Sequence, residues 1–296
     1  MHETMKEQDC METNKALELI HDLRDLGTKA VTFSGGGEPL LHKDICKIMQ
    51  ATLDSNIDLS IITNGQLIKG ERADILKQAK WVRVSMDYTD AMQMQESRNT
   101  PARFFDSVME NLSEFAKSKP ASCDLGINFI ITRDNYQNIV PFAKRLKEVG
   151  VENVRFSPVY VNNFISYHAP IAERVVEQLL ECQSFCDENF SINTTYDLTS
   201  PSKQNSHAFS RCLYAQAVCV VGADFNIYAC HNTAYSSHGL IANMSNRSFK
   251  EAWFSEEARF WHANFKPCVS CTHECANHNK VVIFEKLATE SHDNFI

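Results

Sequence analysis

Apolar and polar positions follow two different periods along the first 160 residues. Short apolar runs predict strands at residues 30–34, 59–63, 81–87, 124–132 and 153–158. Between them, apolar residues three or four positions apart predict helices at residues 12–26, 42–54, 71–78, 101–117 and 135–149. Strands that recur every 25–35 residues are typical of βα units. The pattern therefore predicts a parallel sheet, with ligand sites at the carboxyl ends of its strands.

The pattern changes in the second half of the chain. Residues 171–188 have helical spacing, and a Ser/Thr/Asn-rich stretch at 191–206 predicts a linker, with a domain boundary near residue 200. Beyond it, residues 218–221 and 226–229 predict a short hairpin, residues 249–264 a helix, and residues 267–279 a Cys/His-rich knuckle.

Composition narrows the classes of function. The chain has 296 residues with 29 basic and 37 acidic side chains, a net charge of −8, and no basic block that would neutralise a phosphate backbone. We therefore expect no nucleic-acid partner. No apolar run approaches the ~18 residues that span a bilayer, and the first residues do not resemble a signal peptide. We expect a cytoplasmic protein with no membrane partner.

A glycine-rich turn follows the first predicted strand. Gly35, Gly36 and Gly37 allow the backbone to turn sharply and approach a ligand closely, and the Glu38 carboxylate could receive a cation. The turn lacks the spacing of a dinucleotide-binding fold and the Lys-Ser/Thr of a P-loop. Taken alone, the three glycines are equally compatible with a βα turn that binds no ligand.

The turn and the next strand ends resemble a known family. The run from Gly35 to Leu40 is similar to the GGEP motif of the radical S-adenosylmethionine (radical SAM) superfamily. Thr63-Asn64-Gly65 and Ser85-Met86-Asp87 resemble the "TNG" and "S-x-D" strand ends of that family, and Arg98 falls near an arginine that related enzymes keep. Order and spacing agree over about 130 residues.

The resemblance implies a role for each of these residues. The turn from Gly35 to Glu38 would hold the amino group of S-adenosylmethionine, and Ser85 and Arg98 would meet its carboxylate. The ribose and adenine would face a second group of side chains, namely Thr63, Asn64, Asp87 and Asn128, together with the Phe156-Ser157 strand end. Without the family, Asn64-Gly65 is an ordinary turn pair and Arg98 a solvated charge.

One part of the family pattern is absent from the sequence. Radical SAM enzymes bind their catalytic [4Fe-4S] cluster through a C-x3-C-x2-C motif upstream of GGEP, whereas this chain has only Cys10 before Gly35. We interpret this as an amino-terminal truncation or a misassigned start that removed the first strand and its cluster loop. Cys10 alone cannot replace three ligands.

The last third of the chain is rich in cysteine. Six cysteines lie there with spacings of zinc or iron-sulfur sites, and spacing alone does not choose between these metals. They are Cys212, Cys219, Cys230, Cys268, Cys271 and Cys275. Their surroundings resemble the SPASM/twitch extension of radical SAM enzymes, although Phe225 stands where that extension usually has glycine.

Six thiolates cannot fully ligate two four-iron clusters, so one auxiliary [4Fe-4S] cluster is the interpretation that the count favours. Its expected ligands are Cys212, Cys230, Cys268 and Cys271, with Cys219 and Cys275 as substitutes.

Together these features predict an α/β protein. Residues 1–165 would form a partial (β/α)6 barrel without its first strand, residues 166–206 a helical segment and linker, and residues 207–296 a small SPASM/twitch-like α+β domain. The resemblance implies reductive cleavage of S-adenosylmethionine to a 5′-deoxyadenosyl radical, which abstracts hydrogen from a peptide or small-molecule substrate. Electrons would come from a reductase such as a flavodoxin or ferredoxin. The alternatives are a catalytically silent truncated fragment and a Cys-rich iron-sulfur or zinc module.

Overall fold

The computed structural model describes residues 10–161, 163–198, 209–267, 271 and 278–289. The chain divides into two compact units: residues 28–198 form one, and residues 1–27 together with 199–296 form the other. We call them the sheet unit and the Cys-rich unit. In the described part of the chain, no helix combines the length and apolar character that a membrane span requires.

The sheet unit is built on a parallel sheet, in which the described residues contribute six strands. The strands are β1 (Ala30–Phe33), β2 (Asp58–Thr63), β3 (Trp81–Met86), β4 (Asp124–Ile131), β5 (Asn153–Pro158) and β6 (Ser191–Thr194). Their order across the sheet is the order along the chain. Each crossover therefore advances by one strand, as in a (β/α) barrel.

Helices form the crossovers of the sheet unit, and further helices belong to the Cys-rich unit. The crossover helices are α2 (Ile45–Asp54), α3 (Glu71–Leu76), α4 (Ala91–Arg98), α5 (Arg103–Ser118), α6 (Ile139–Val149), α7 (Phe164–His168) and α8 (Ala172–Gln183). The Cys-rich unit contains α1 (Thr13–Asp25), α9 (Tyr214–Ala217), α10 (Phe249–Trp253), α11 (Glu256–Asn264) and α12 (His278–Thr289).

The two faces of the sheet differ in chemistry. Successive side chains of a strand point to opposite faces, and one set packs with the helices in the main hydrophobic core, including Ile61, Val84, Ile127, Phe129 and Phe156. The opposite set, which we call the polar face, is largely hydrophilic. It includes Thr32, Ser60, Arg83, Ser85, Asn128, Arg155 and Ser157, and the strand registers place Trp81, Ile62 and Ile130 on the same side.

The Cys-rich unit has a small antiparallel sheet of its own. It consists of β7 (Val220–Val221), β8 (Asn226–Tyr228) and β9 (Leu240–Asn243), and the first two form the predicted hairpin. Helix α1 belongs to this unit because Leu19 packs into its core. In addition, Asp22 Oδ2 accepts a hydrogen bond from Phe249 N at 2.7 Å, which satisfies an unpaired amide at the start of α10.

The predicted strands and the parallel sheet are confirmed, whereas three details of the sequence pattern are not. Residues 191–194, predicted as the start of a linker, form strand β6 beside β5, and Ile192 enters the core. Residues 249–264 form two helices instead of one, because Ser255 caps the second by accepting from Ala258 N. Helix α4, whose Asp90 cap accepts from Gln93 N, precedes the predicted helix at 101–117.

Candidate functional site

The glycine-rich turn after β1 is bound to the end of β2 through Glu38. Its Oε1 atom accepts hydrogen bonds from Thr63 Oγ1 at 2.7 Å and from Leu40 N at 3.0 Å. Its Oε2 atom accepts from Asn64 N at 2.6 Å. A carboxylate that receives several such bonds is held firmly in place. The structure therefore brings together Glu38, Thr63 and Asn64, three of the residues that the sequence singled out.

The turn after β2 is compact and is held from behind by helix α5. Gly65 has a φ of +83°, a region that favours glycine, and a Cβ there would lie 3.0 Å from Val84 Cγ1 and 3.1 Å from Val108 Cγ1. Asn111 Nδ2 donates to Gly65 O at 2.9 Å and to Gln66 O at 3.0 Å. Asn111 is not among the residues that the sequence predicted. The sequence feature that could have revealed it is a polar residue at a core-facing position of an amphipathic helix.

Further along the sheet edge, Ser85 and Asn128 lie side by side. They are register partners on β3 and β4, so both belong to the polar face. Ser85 is exposed, while Asn128 is half-buried. The Asn128 Oδ1 atom is buried and has no hydrogen-bond partner among the described residues. A buried acceptor without a donor is costly, which makes Asn128 a candidate contact for a ligand.

Two other predicted residues lie after β3. Asp87 directly follows the strand, and Asn135 Nδ2 donates to its carbonyl oxygen at 2.8 Å. Arg98 is the last residue of α4, and its side chain lies outside the described part of the structure. Of the three glycines, Gly37 has no atom within 4 Å of the position that a Cβ would take. The turn thus leaves open space beside its backbone.

In the Cys-rich unit, three cysteines line one pocket. Cys212, Cys230 and Cys271 all line the same small pocket. Cys230 Sγ lies 3.5 Å from Thr233 Oγ1, which also lines the pocket. Among the described residues, no three His, Cys, Asp or Glu side chains form a group that could hold a metal ion. The predicted ligands Cys268 and Cys275 lie outside the described residues.

The remaining cysteine of the predicted set is placed differently. Cys219 packs against the core of the Cys-rich unit and does not line the pocket. Burial raises the pKa of its thiol to about 12. Cys219 is therefore not part of the pocket lining that Cys212, Cys230 and Cys271 share. Cys10, before the sheet unit, is exposed.

The amino-terminal part of the chain matches a known sequence family. Residues 3–127 match the model of the Radical SAM superfamily. The chain is similar to the AdoMet-dependent heme synthase of Nitratidesulfovibrio vulgaris, with 26% identity over 140 residues, 47% of this chain and 37% of that protein. It is also similar to the mycofactocin maturase MftC of Mycobacterium tuberculosis, with 23% identity over 252 residues. That alignment covers 82% of this chain and 62% of MftC.

Solved structures extend the likeness of the fold to both units. SuiB of Streptococcus suis bound to S-adenosylmethionine matches with a TM-score of 0.66 and 18% identity over 95% of this chain and 69% of SuiB. The partial (β/α)6 barrel is therefore confirmed as a fold. The alignment with the heme synthase, in contrast, spans less than half of that relative's length.

Proposed function

Because the chain carries a domain of the radical SAM superfamily, we propose that it binds S-adenosylmethionine at the carboxyl ends of β1 to β5 and serves radical hydrogen abstraction from a peptide or small-molecule substrate. The observation that carries this proposal is the buried, unpartnered Asn128 Oδ1 beside the exposed Ser85 hydroxyl. It is an acceptor at the strand edge where this family is expected to hold its cofactor.

The residues of this edge fit the cofactor. Asn128 Oδ1 accepts a hydrogen bond from the ribose or adenine, and Ser85 donates to the carboxylate. The turn at Gly37 leaves room for the methionine part. Glu38 holds the turn against Thr63 and retains one acceptor position, on Oε2, for the amino group. The proposal also includes Asp87, which would face the ribose, and Arg98, which would meet the carboxylate.

The chemistry comes from the cofactor: when bound to a reduced [4Fe-4S] cluster, S-adenosylmethionine supplies the radical that abstracts hydrogen. Cys10 is the only cysteine that precedes Gly35 in the sequence. These 296 residues therefore do not contain the three-cysteine motif of that cluster. The described residues contribute the strand ends that would bind the cofactor, the hydrogen bonds of Glu38 that fix their geometry, and the polar face behind them. A reductase such as a flavodoxin or ferredoxin would supply the electrons for this reaction.

We propose further that the pocket of the Cys-rich unit holds one auxiliary [4Fe-4S] cluster. Cys212, Cys230 and Cys271 line the same cavity, and Cys268 is the fourth ligand by its C-x2-C spacing to Cys271. Cys219 is left out because it is not among the residues that line this pocket. Such a site would serve as an electron relay or a substrate anchor.

The cofactor proposal is tested by isothermal titration of S-adenosylmethionine into the chain under anaerobic conditions. Asn128→Ala should weaken binding about tenfold, which corresponds to the loss of one buried hydrogen bond. Asn153→Ala is the matched control, because Asn153 lies on the same face at the amino end of β5. Equal affinities of both variants and the wild type would contradict the proposal.

The cluster proposal is tested by anaerobic reconstitution followed by iron, sulfide and zinc analysis. Serine replacements of Cys212, Cys230 or Cys271 should each reduce bound iron and sulfide, whereas Cys219→Ser should leave them unchanged. Zinc without sulfide would identify a zinc module, and loss of iron in Cys219→Ser would show that the ligand set is wrong.

A further inference from the structure

The polar face of the sheet carries two arginines that flank β4. Arg83 lies on β3 as the register partner of Gly126, and Arg155 lies on β5 as the register partner of Asn128. The two strands are about 10 Å apart, since neighbouring strands are separated by about 4.8 Å. Arg155 also lies two register positions beyond Arg83, which adds about 7 Å along the strands, and two arginine side chains can still converge over this separation. Gly126 lies on β4 between Arg83 and Asn153, and the Asn153 side chain occupies the space beside it, because a Cβ at Gly126 would overlap Asn153 Oδ1.

These arginines lack the partners that charged groups in such a position normally have. Neither guanidinium forms an ion pair or a hydrogen bond with any described residue, and the buried Arg83 Nε atom is without an acceptor. The contact of the Arg83 guanidinium is with the Trp81 ring, 5.0 Å from its centroid. Burial lowers the pKa of Arg83, and the charge of Arg155 lowers it further. An unpaired buried donor beside a like charge is unfavourable unless an anion binds there.

A carboxylate matches this arrangement best. Its two oxygens accept parallel hydrogen bonds from a guanidinium fork, and its charge offsets the repulsion between two arginines. Asp124, which lies on the same face at the start of β4, is exposed and is not paired with Arg83. The described residues of this face therefore provide no internal counter-ion.

We propose that Arg83 and Arg155 bind a carboxylate group of the substrate, so that the substrate of this protein is a carboxylate-bearing molecule. The proposal rests on the proposed function, which places the cofactor at Ser85 and Asn128. Arg83 precedes Ser85 by two residues, which places it about 7 Å deeper along the strand. Arg155 is level with Asn128, so the carboxylate is held on the polar face between the level of the cofactor residues and that of Arg83, with the rest of the substrate directed toward the strand ends.

The test is a titration observed through the arginine Nε–H signals of the ¹⁵N-labelled chain. Because Arg83 Nε is buried, its proton exchanges slowly and should give a resolved signal, which Arg83→Lys identifies by its loss. Succinate is the probe. It should shift this signal saturably in the wild type, and Arg155→Gln should weaken the response at least tenfold. Arg174→Gln, which removes the same charge from an exposed position on α8, should leave it unchanged.

Two results would overturn the proposal. The first is an Arg83 signal that does not respond to succinate, or that responds equally in Arg155→Gln. The second is a shift produced by S-adenosylmethionine alone, with succinate competing, which would assign the arginines to the cofactor. A failure of the proposed function has a different signature: S-adenosylmethionine binding that is insensitive to Asn128→Ala, with the succinate response intact.

Discussion

Glu38 and Thr63 lie 25 residues apart in the chain, and Thr63 Oγ1 donates a hydrogen bond to Glu38 Oε1 at 2.7 Å. The same hydroxyl accepts from Gly65 N at 3.2 Å. The end of β2 and the glycine-rich turn after β1 are therefore one hydrogen-bonded structure. Each turn helps to fix the position of the other. A change in one turn should therefore lower the affinity of both for S-adenosylmethionine.

Thr63→Val tests this coupling, because valine keeps the shape of threonine and removes its hydroxyl. We expect the free energy of unfolding to fall by about 1–3 kcal/mol, since the Glu38 carboxylate loses a partly buried donor. S-adenosylmethionine affinity should fall as well. Urea unfolding and calorimetric titration measure the two effects. The control is Thr52→Val, whose buried hydroxyl bonds only within α2. It should leave the affinity unchanged, and an equal loss in both variants would argue against the coupling.

Gly65→Ala should be more harmful than Gly70→Ala. Both glycines have positive φ, +83° and +56°, so alanine strains the backbone at either position. At Gly65 the added methyl would also press against Val84 and Val108, whereas nothing lies within 4 Å at Gly70. We expect Gly65→Ala to lower the midpoint of urea unfolding further than Gly70→Ala. The reverse order would show that the turn can move away from both valines.

Phe225 has a φ of +59°, at the position where the sequence departs from the usual glycine. Its side chain packs against the core of the Cys-rich unit, which compensates part of the backbone strain. Phe225→Gly and Phe225→Ala both remove the ring and differ only in their tolerance of this φ. The glycine variant should therefore be more stable than the alanine variant by about 1 kcal/mol. Thermal unfolding of the pair measures the difference, and equal stabilities would contradict it.

Cys219 should resist alkylation in the folded protein. Burial raises the pKa of its thiol from 9.0 to about 12, and only the thiolate reacts. Because the folded-state value is the higher one, this contribution to stability is fully present below pH 9 and is lost as the pH rises toward 12. Iodoacetamide at pH 8, followed by mass spectrometry, should label the exposed Cys10 well before Cys219. Comparable labelling of the two would refute the buried placement.

Part of the architecture was accessible from the amino-acid sequence. The apolar runs predicted β1 to β5 and a parallel sheet. A strand that packs against helices must be apolar on that side, and this apolar pattern can be read from neighbouring residues in the sequence. Strand β6 was missed because only Ile192 of its four residues enters the core, so its Ser/Asn/Thr composition resembles a loop. It forms a strand because β5 offers an edge to pair with.

The sequence by itself determined which residues belong to the candidate sites: the turn at Gly35, the strand ends at Thr63 and Ser85, and the cysteine cluster. These are short motifs, and their chemistry can be recognised from neighbouring letters.

Only the tertiary structure decided how those residues combine. It directs the Glu38 carboxylate to Thr63, separates Cys219 from the pocket of Cys212 and Cys230, and places Arg83 and Arg155 on one face. Such relationships depend on strand register and on packing between residues far apart in the chain, and no local pattern of polarity encodes either.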